Sequence, residues 1–255
     1  MAKAKGISGF PEWLPQERLL EQEIIEKVRK IYESHGFVPI ETPAVELIET
    51  LTSKGEVDKE IYALHRLAAE EGEEAELGLH FDLTVPFARY VAAHFNDLVF
   101  PFKRYQLQKV WRGERPQKGR FREFYQFDID IVARDMLPLA CDAEVVSVLT
   151  KVLKELGVGT PIIKLNNRKL LIGYYQGLGL DDATVQKVIA IIDKMEKIGE
   201  EEVMRLLSEL PIPAGAREKI LQFSLPKVAA KDFASFISTV DLLSNLAEEG
   251  AAELV

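Results

Sequence analysis

Two runs decide how this chain folds: Phe102-Lys-Arg-Tyr-Gln-Leu-Gln-Lys-Val-Trp-Arg112 and Arg122-Glu-Phe-Tyr-Gln-Phe-Asp-Ile-Asp-Ile-Val132. Both alternate with a period of two, the mark of a strand with one buried face. The link Gly113–Phe121 holds Pro116 and Gly119, which suit a turn. On the first run the even positions are Phe102, Arg104, Gln106, Gln108, Val110 and Arg112. On the second they are Arg122, Phe124, Gln126, Asp128, Asp130 and Val132. The odd positions are mostly greasy: Tyr105, Leu107 and Trp111, then Tyr125, Phe127, Ile129 and Ile131. If the hairpin pairs even with even, the polar faces coincide and the greasy faces pack on helices. Two readings of the polar face are then open. One is an exposed sheet face with cross-strand ion pairs. The other is a recessed pocket, favoured by Gln and Asp opposite Arg. The link favours the pocket, because Arg115, Lys118 and Arg120 suit a polyphosphate.

Charge sharpens the contrast. The 255 residues carry a net charge of −9, yet Lys103–Arg122 holds eight basic residues and a single acid, Glu114. An acidic chain does not grip nucleic acid over its whole surface, so any such contact is local. No DNA partner is expected. No apolar run reaches the length of a membrane span. Met1–Gly6 has charge with no apolar segment behind it, which does not fit a signal peptide. The single cysteine, Cys141, excludes an intrachain disulfide and suits a reducing, cytoplasmic setting. His35, His65, His80 and His94 are not at metal-ligand spacing, so no protein-held metal site is expected.

Around the hairpin the pattern is mixed. Leu20, Ile24, Val28, Ile31 and Tyr32 predict a helix from Pro15, at its first position, to the stop at Gly36. Phe37–Pro43 is extended and broken by two prolines, which confines it to an edge. Glu70–Glu76 reads as a solvated hairpin tip. Strand is predicted over Gly78–Leu83 and helix over Pro86–His94. Cys141–Leu156 is a further helix, and Pro161–Leu165 reads as a short buried strand. Beyond residue 176 only helical stripes occur: Val185–Met195, Val203–Leu207, Ala216–Phe223 and Phe233–Leu246. The fold class is therefore α+β: a core over residues 1–175 and a helical subdomain over 176–255.

The run Trp111-Arg-Gly-Glu-Arg-Pro-Gln-Lys-Gly-Arg-Phe-Arg-Glu-Phe-Tyr-Gln-Phe-Asp-Ile-Asp130 resembles motif 2 of the histidyl-tRNA synthetases. Gly36–Pro43 resembles their motif 1. Asp142–Glu144 and Leu165–Leu170 resemble further family segments. Asp82–Val91 and the Asp-rich end of motif 2 resemble the family's eukaryotic-style branch. The likeness covers roughly residues 7–175, and the helical tail sits where the family has an insertion.

The resemblance implies a class II aminoacyl-tRNA synthetase core, an antiparallel sheet flanked by helices. It implies a histidine–tRNA ligase that forms histidyl-adenylate from histidine and ATP and passes the histidyl group to tRNA(His). Mg²⁺ would ride on the ATP phosphates, and motif 1 would build a homodimer. By the same resemblance Arg112 is the catalytic residue, holding the α-phosphate and the substrate carboxylate. Glu114 would accept from the adenine amino group, and Phe124 would stack on adenine. Arg120 and Arg122 would reach the phosphates. Asp82 and Thr84 would bind the α-amino group of histidine, with Leu83 also in the histidine site, Gln126 and Asp130 contacting the substrate and Asp130 reading the imidazole. Asp130 departs from the bacterial-type pattern, which has Glu there. Local chemistry offers other duties: Thr84 as a helix N-cap, Asp82 capping the same turn, Phe124 in the core. The family's Arg-Gly-Leu-Asp-Tyr-Tyr segment, its motif 3 and its anticodon-binding domain do not occur in these residues, so a fragment of low activity is expected. The alternatives are a histidine-binding regulatory subunit of ATP phosphoribosyltransferase, another class II synthetase such as one for proline, and a purely structural domain.

Overall fold

The computed structural model describes residues 4–54, 58–70 and 72–255. Residues 1–3 of the expected non-signal start, and residue 71 of the expected hairpin tip, lie outside the described residues. The chain divides into two compact units, Met1–Ile162 and Ile163–Val255.

In the first unit, α1 (Pro15–Ser34) leads into β1 (Val38–Pro39). Then come β2 (Val45–Leu47), α2 (Ile48–Leu51), β3 (Ala63–Leu64), β4 (Leu77–Leu79) and α3 (Thr84–Ala93). The hairpin is β5 (Phe102–Trp111) and β6 (Glu123–Val132), followed by α4 (Ala140–Glu155). Its register is Phe102 with Val132, Arg104 with Asp130, Gln106 with Asp128, Gln108 with Gln126 and Val110 with Phe124. Even positions meet even ones, so the polar side chains share one face. Short β1 joins β5 in parallel as an edge strand, as its proline requires. The sheet β1–β5–β6 is therefore mixed, and only its hairpin is antiparallel. β2, β4 and β3 make a second, antiparallel sheet.

The greasy face finds the helix layer its pattern demands. Tyr105, Leu107, Phe127, Ile129 and Ile131 pack against Ile24, Val28, Ile31 and Tyr32 of α1 and Val148 and Val152 of α4. Gly36 ends α1 with φ +77, a conformation that carries no Cβ penalty only for glycine. Strand over Gly78–Leu83 is shortened to Leu77–Leu79, and α3 begins two residues before the predicted Pro86.

The second unit holds α5 (Arg168–Gly177), α6 (Asp182–Ile192), α7 (Met195–Ile198), α8 (Glu200–Ser208), α9 (Ala216–Ser224), α10 (Phe233–Ile237) and α11 (Asn245–Ala252). Its core joins Leu170, Tyr175, Val185, Val188, Val203, Leu207, Ile220, Ala247 and Ala251. Three expectations differ here. The predicted strand Pro161–Leu165 is irregular, with Ile162 and Leu165 exposed, because no described strand offers it a ladder. The predicted helix Phe233–Leu246 breaks in two. Ser244 caps α11 by accepting from Ala247 N at 3.1 Å, and Leu243 sits at φ +52. Finally, the units part at Ile162/Ile163, earlier than the boundary expected after residue 175. The reason is α5: its Gly173 meets α11 so closely that an added Cβ would lie 2.3 Å from Ala247 N.

Candidate active site

The site grows from the open end of the hairpin. Arg112 N donates to Arg122 O at 2.9 Å, which closes the ladder beyond β5 and β6. The link then turns on Gly119, φ +79, where Gln117 and Arg120 exchange backbone bonds of 2.9 and 3.2 Å. This folds the loop back over the strands. A concavity of about 280 Å³ opens there, lined by Arg112, Glu114, Gly119, Arg120, Phe121 and Phe124.

Each expected nucleotide residue lies in or beside this concavity. The Arg112 guanidinium lies over Phe81 at 4.5 Å and over Phe124 at 5.2 Å. Its Nε donates to Phe81 O at 3.3 Å. Glu114 is paired with Arg120 at 2.9 Å, and Arg122 Nε donates to the Glu114 carbonyl at 3.0 Å. Phe124 lines the concavity and is not a core residue. Two arginines and an aromatic ring around one carboxylate can hold an anionic, planar ligand.

Farther along the same face the charge reverses. Arg104 is fully buried and meets Asp130 as an ion pair, although no guanidinium nitrogen achieves hydrogen-bond geometry. Its guanidinium lies 4.2 Å over the Phe87 ring of α3. Burial lowers the Arg104 pKa, and the charges of Asp130, Asp128 and Asp82 oppose that. Burial likewise pushes the Asp128 carboxyl up; the Gln126 hydrogen bond and Arg104 pull it down, and Asp130 and Asp82 push it up further. Three carboxylates thus surround one guanidinium, a net negative hollow suited to a cationic ligand.

Asp82 stands ahead of α3 and its Oδ1 accepts from Val85 N at 3.2 Å. It therefore does cap the turn, with its second oxygen outside that bond. Leu83 is the N-cap residue, with its side chain fully buried, so only its backbone can meet a ligand. Thr84 is the first helical residue and not the N-cap. The segment is tied to the hairpin: Trp111 N donates to His80 O at 3.1 Å, and buried His80 donates from Nε2 to Lys109 O at 2.7 Å. Burial lowers the His80 pKa, in keeping with a neutral packing ring set at a tilt 5.4 Å from the Trp111 ring. Gln126 donates to both Asp128 oxygens at 3.0 Å.

Sequence reasoning missed Arg104 and Asp128. Both were on the polar face already sorted by parity, and their facing registers with Asp130 and Gln106 were the available signal. It also missed the Thr42 brace. Gln106 Nε2 donates to Thr42 Oγ1 at 3.0 Å, and Gln108 Nε2 to Thr42 O at 2.7 Å.

An antiparallel hairpin with a basic loop, an arginine at its mouth and helices on its outer face defines the motif 2 half of a class II aminoacyl-tRNA synthetase core. Comparison with known proteins makes this specific. The histidyl-tRNA synthetase family model matches residues 9–252. The histidine–tRNA ligase of Thermobifida fusca is 54% identical over 203 residues, 79% of this chain and 46% of that protein. That of Micrococcus luteus is 47% identical over 269 residues, covering 100% of this chain and 58% of its own. The crystal structure of histidyl-tRNA synthetase from Nostoc sp. PCC 7120 superposes with a TM-score of 0.88 at 39% identity, covering 100% of this chain and 57% of that one. This chain belongs to the histidyl-tRNA synthetase family. It spans about half the length of the curated relatives it matches. These relatives are bacterial, although Asp82–Val91 and the Asp-rich strand end resemble the eukaryotic-style branch. A structure described as an ATP phosphoribosyltransferase regulatory subunit/histidyl-tRNA synthetase from Bacillus halodurans C has a TM-score of 0.79 at 16% identity, which shows the shared fold alone. No helix among the described residues is long and apolar enough to cross a membrane.

Proposed function

We propose that this chain carries the histidine- and ATP-binding face of a cytoplasmic histidine–tRNA ligase, which activates histidine for transfer to tRNA(His). The observation that carries the reading is the division of one sheet face into a basic end around Arg112 and an acidic end around Asp128 and Asp130. ATP needs the first; the ammonium and imidazole of histidine need the second. Arg112, joined to Phe81 next to Asp82, sits where the two meet.

The reaction is the one the family resemblance implies, and the layout supports it. The histidine carboxylate attacks the α-phosphate, and pyrophosphate leaves. Arg112 neutralises charge on the α-phosphate and aligns the attacking carboxylate. Phe124 stacks on adenine, Glu114 accepts from its amino group, and Arg120 and Arg122 draw the outer phosphates. For this Glu114 exchanges its Arg120 partner for the nucleotide. Among the described residues the only carboxylate lining this concavity is Glu114, already paired with Arg120, so the lining suits Mg²⁺ that arrives on the phosphates. Asp82, Thr84 and the Leu83 backbone serve the α-ammonium, and Gln126 and Asp130 the substrate's remaining donors. Two copies joined through the motif 1 region complete the proposed assembly.

The test is equilibrium binding to the 255-residue chain, with ATP and histidine titrated separately and then together. Binding of both, each lost with Arg112→Ala or Asp130→Ala respectively, supports the reading. Histidine binding with no ATP binding favours the regulatory-subunit alternative. Pyrophosphate exchange by these 255 residues, which span about half the length of the relatives, is expected far below that of a full-length synthetase; exchange at an intact enzyme's rate contradicts this.

A further inference from the structure

We propose that Asp128 is a positioning residue: it fixes which end of the Gln126 amide meets the substrate. The proposal rests on the histidine-site reading and deepens it. Gln126 and Asp128 are successive even positions on β6. Gln126 Nε2 lies 3.0 Å from each Asp128 oxygen. A side-chain amide has one donating and one accepting end, whereas an ionised carboxylate only accepts. With the donor end engaged by Asp128, the free end is Oε1, which is buried and has no partner in the chain. The opposite orientation would set Oε1 against two carboxylate oxygens. Asp128 therefore selects the orientation for as long as it stays ionised.

The consequence is a rule for the ligand. Position 126 offers an acceptor, and so does Asp130. Two acceptors on one face take a ligand that brings N–H donors to both, as an amino acid with an ammonium group and an imidazole N–H does. The buried one, Gln126 Oε1, rejects a ligand that leaves it unpaired. The lock is set by the groups facing Asp128: the charges of Arg104 on β5, Asp130 on β6 and Asp82 ahead of α3, and the neutral phenol of Tyr32 on α1. Burial, Asp130 and Asp82 disfavour its charge, and the Gln126 hydrogen bond and Arg104 favour it. Asp128 thus acts on the substrate through Gln126.

A swap of donor and acceptor tests this by calorimetric titration of L-histidine into four proteins: wild type, Asp128→Asn, Gln126→Glu and the double variant. Asp128→Asn frees the Gln126 amide to turn and weakens histidine binding by about tenfold, the scale of a hydrogen bond to a charged group. Gln126→Glu weakens it as well, through two adjacent carboxylates. In the double variant the asparagine amide donates to one oxygen of the new glutamate and leaves the other as the acceptor, so affinity recovers. ATP titration, which reads Arg112, Glu114 and Phe124, stays unchanged in all four. Additive losses in the double variant, or undiminished binding in Asp128→Asn, overturn the lock. A wild type that binds ATP but not histidine overturns the underlying reading and the lock with it. A second measurement needs no variant. The Gln126 side-chain amide resonances of the wild type shift together in one step as Asp128 is protonated; resonances indifferent to acid overturn the proposal.

Discussion

Replacing Arg104 with methionine removes one charge from the centre of the site while keeping most of the stem's volume. Arg104 is fully buried, and its partner Asp130 keeps 35% of its side chain exposed. Breaking a fully buried pair by deleting one partner costs about 3–5 kcal/mol. Water reaching Asp130 reduces this, which puts Arg104→Met at about 2–3 kcal/mol near pH 7. Packing on Phe87 survives, so the cavity contribution is small. The loss also depends on pH. Asp128 has a folded pKa above its ordinary value, chiefly through burial. For such a carboxyl the cost of ionisation is absent below the unfolded value of about 3.9 and grows as pH rises through the folded value. Removing Arg104 raises that folded value further and widens the window. The deficit of the variant is therefore larger at pH 7 than at pH 5. Urea unfolding followed by tryptophan fluorescence reads the correct unit, because both tryptophans, Trp13 and Trp111, lie in Met1–Ile162. A variant as stable as the wild type at pH 7, or one whose deficit grows on acidification, would refute the reasoning.

Three further outcomes are expected. Gly173→Ala sets a methyl against the backbone of α11 and should cost about 1–3 kcal/mol, seen as a lower urea midpoint by circular dichroism; an unchanged midpoint would mean that the helices can separate freely. Ser244→Ala removes both the α11 cap and the bond to Gly173 O at 2.8 Å, at a cost of about 1–2 kcal/mol in the same assay. Arg112→Ala should weaken ATP binding by at least about tenfold without changing the tryptophan unfolding midpoint by more than a few tenths of a kcal/mol, since Arg112 is half-exposed.

The hairpin could be read from its residues because parity is strict there. Each strand keeps one greasy face, and only even-to-even pairing buries both against the same helices. The Arg112 concavity followed from the loop's charge and from a motif specific enough to name a family. What escaped depends on partners distant in sequence. Arg104 reads as one more cation until its register with Asp130 and its burial under Phe87 are known. Helix α5 escaped because Gly173 and Gly177 look like breaks, whereas they admit the α11 backbone and Leu243. Pro161–Leu165 has strand residues, but a strand exists only with a ladder to join. The stripe Phe233–Leu246 is periodic enough for one helix. It hides the point where Ser244 captures a backbone N–H and restarts the helix.

The most direct test is a crystal structure of this chain with a non-hydrolysable histidyl-adenylate analogue. The adenine should lie on Phe124 with its amino group at Glu114, the phosphate mimic should contact Arg112, and the imidazole should meet Asp130 with Gln126 Oε1 accepting from a substrate nitrogen. An analogue seated away from the even face of β5 and β6, or with its imidazole turned from Asp130, would contradict the assignment.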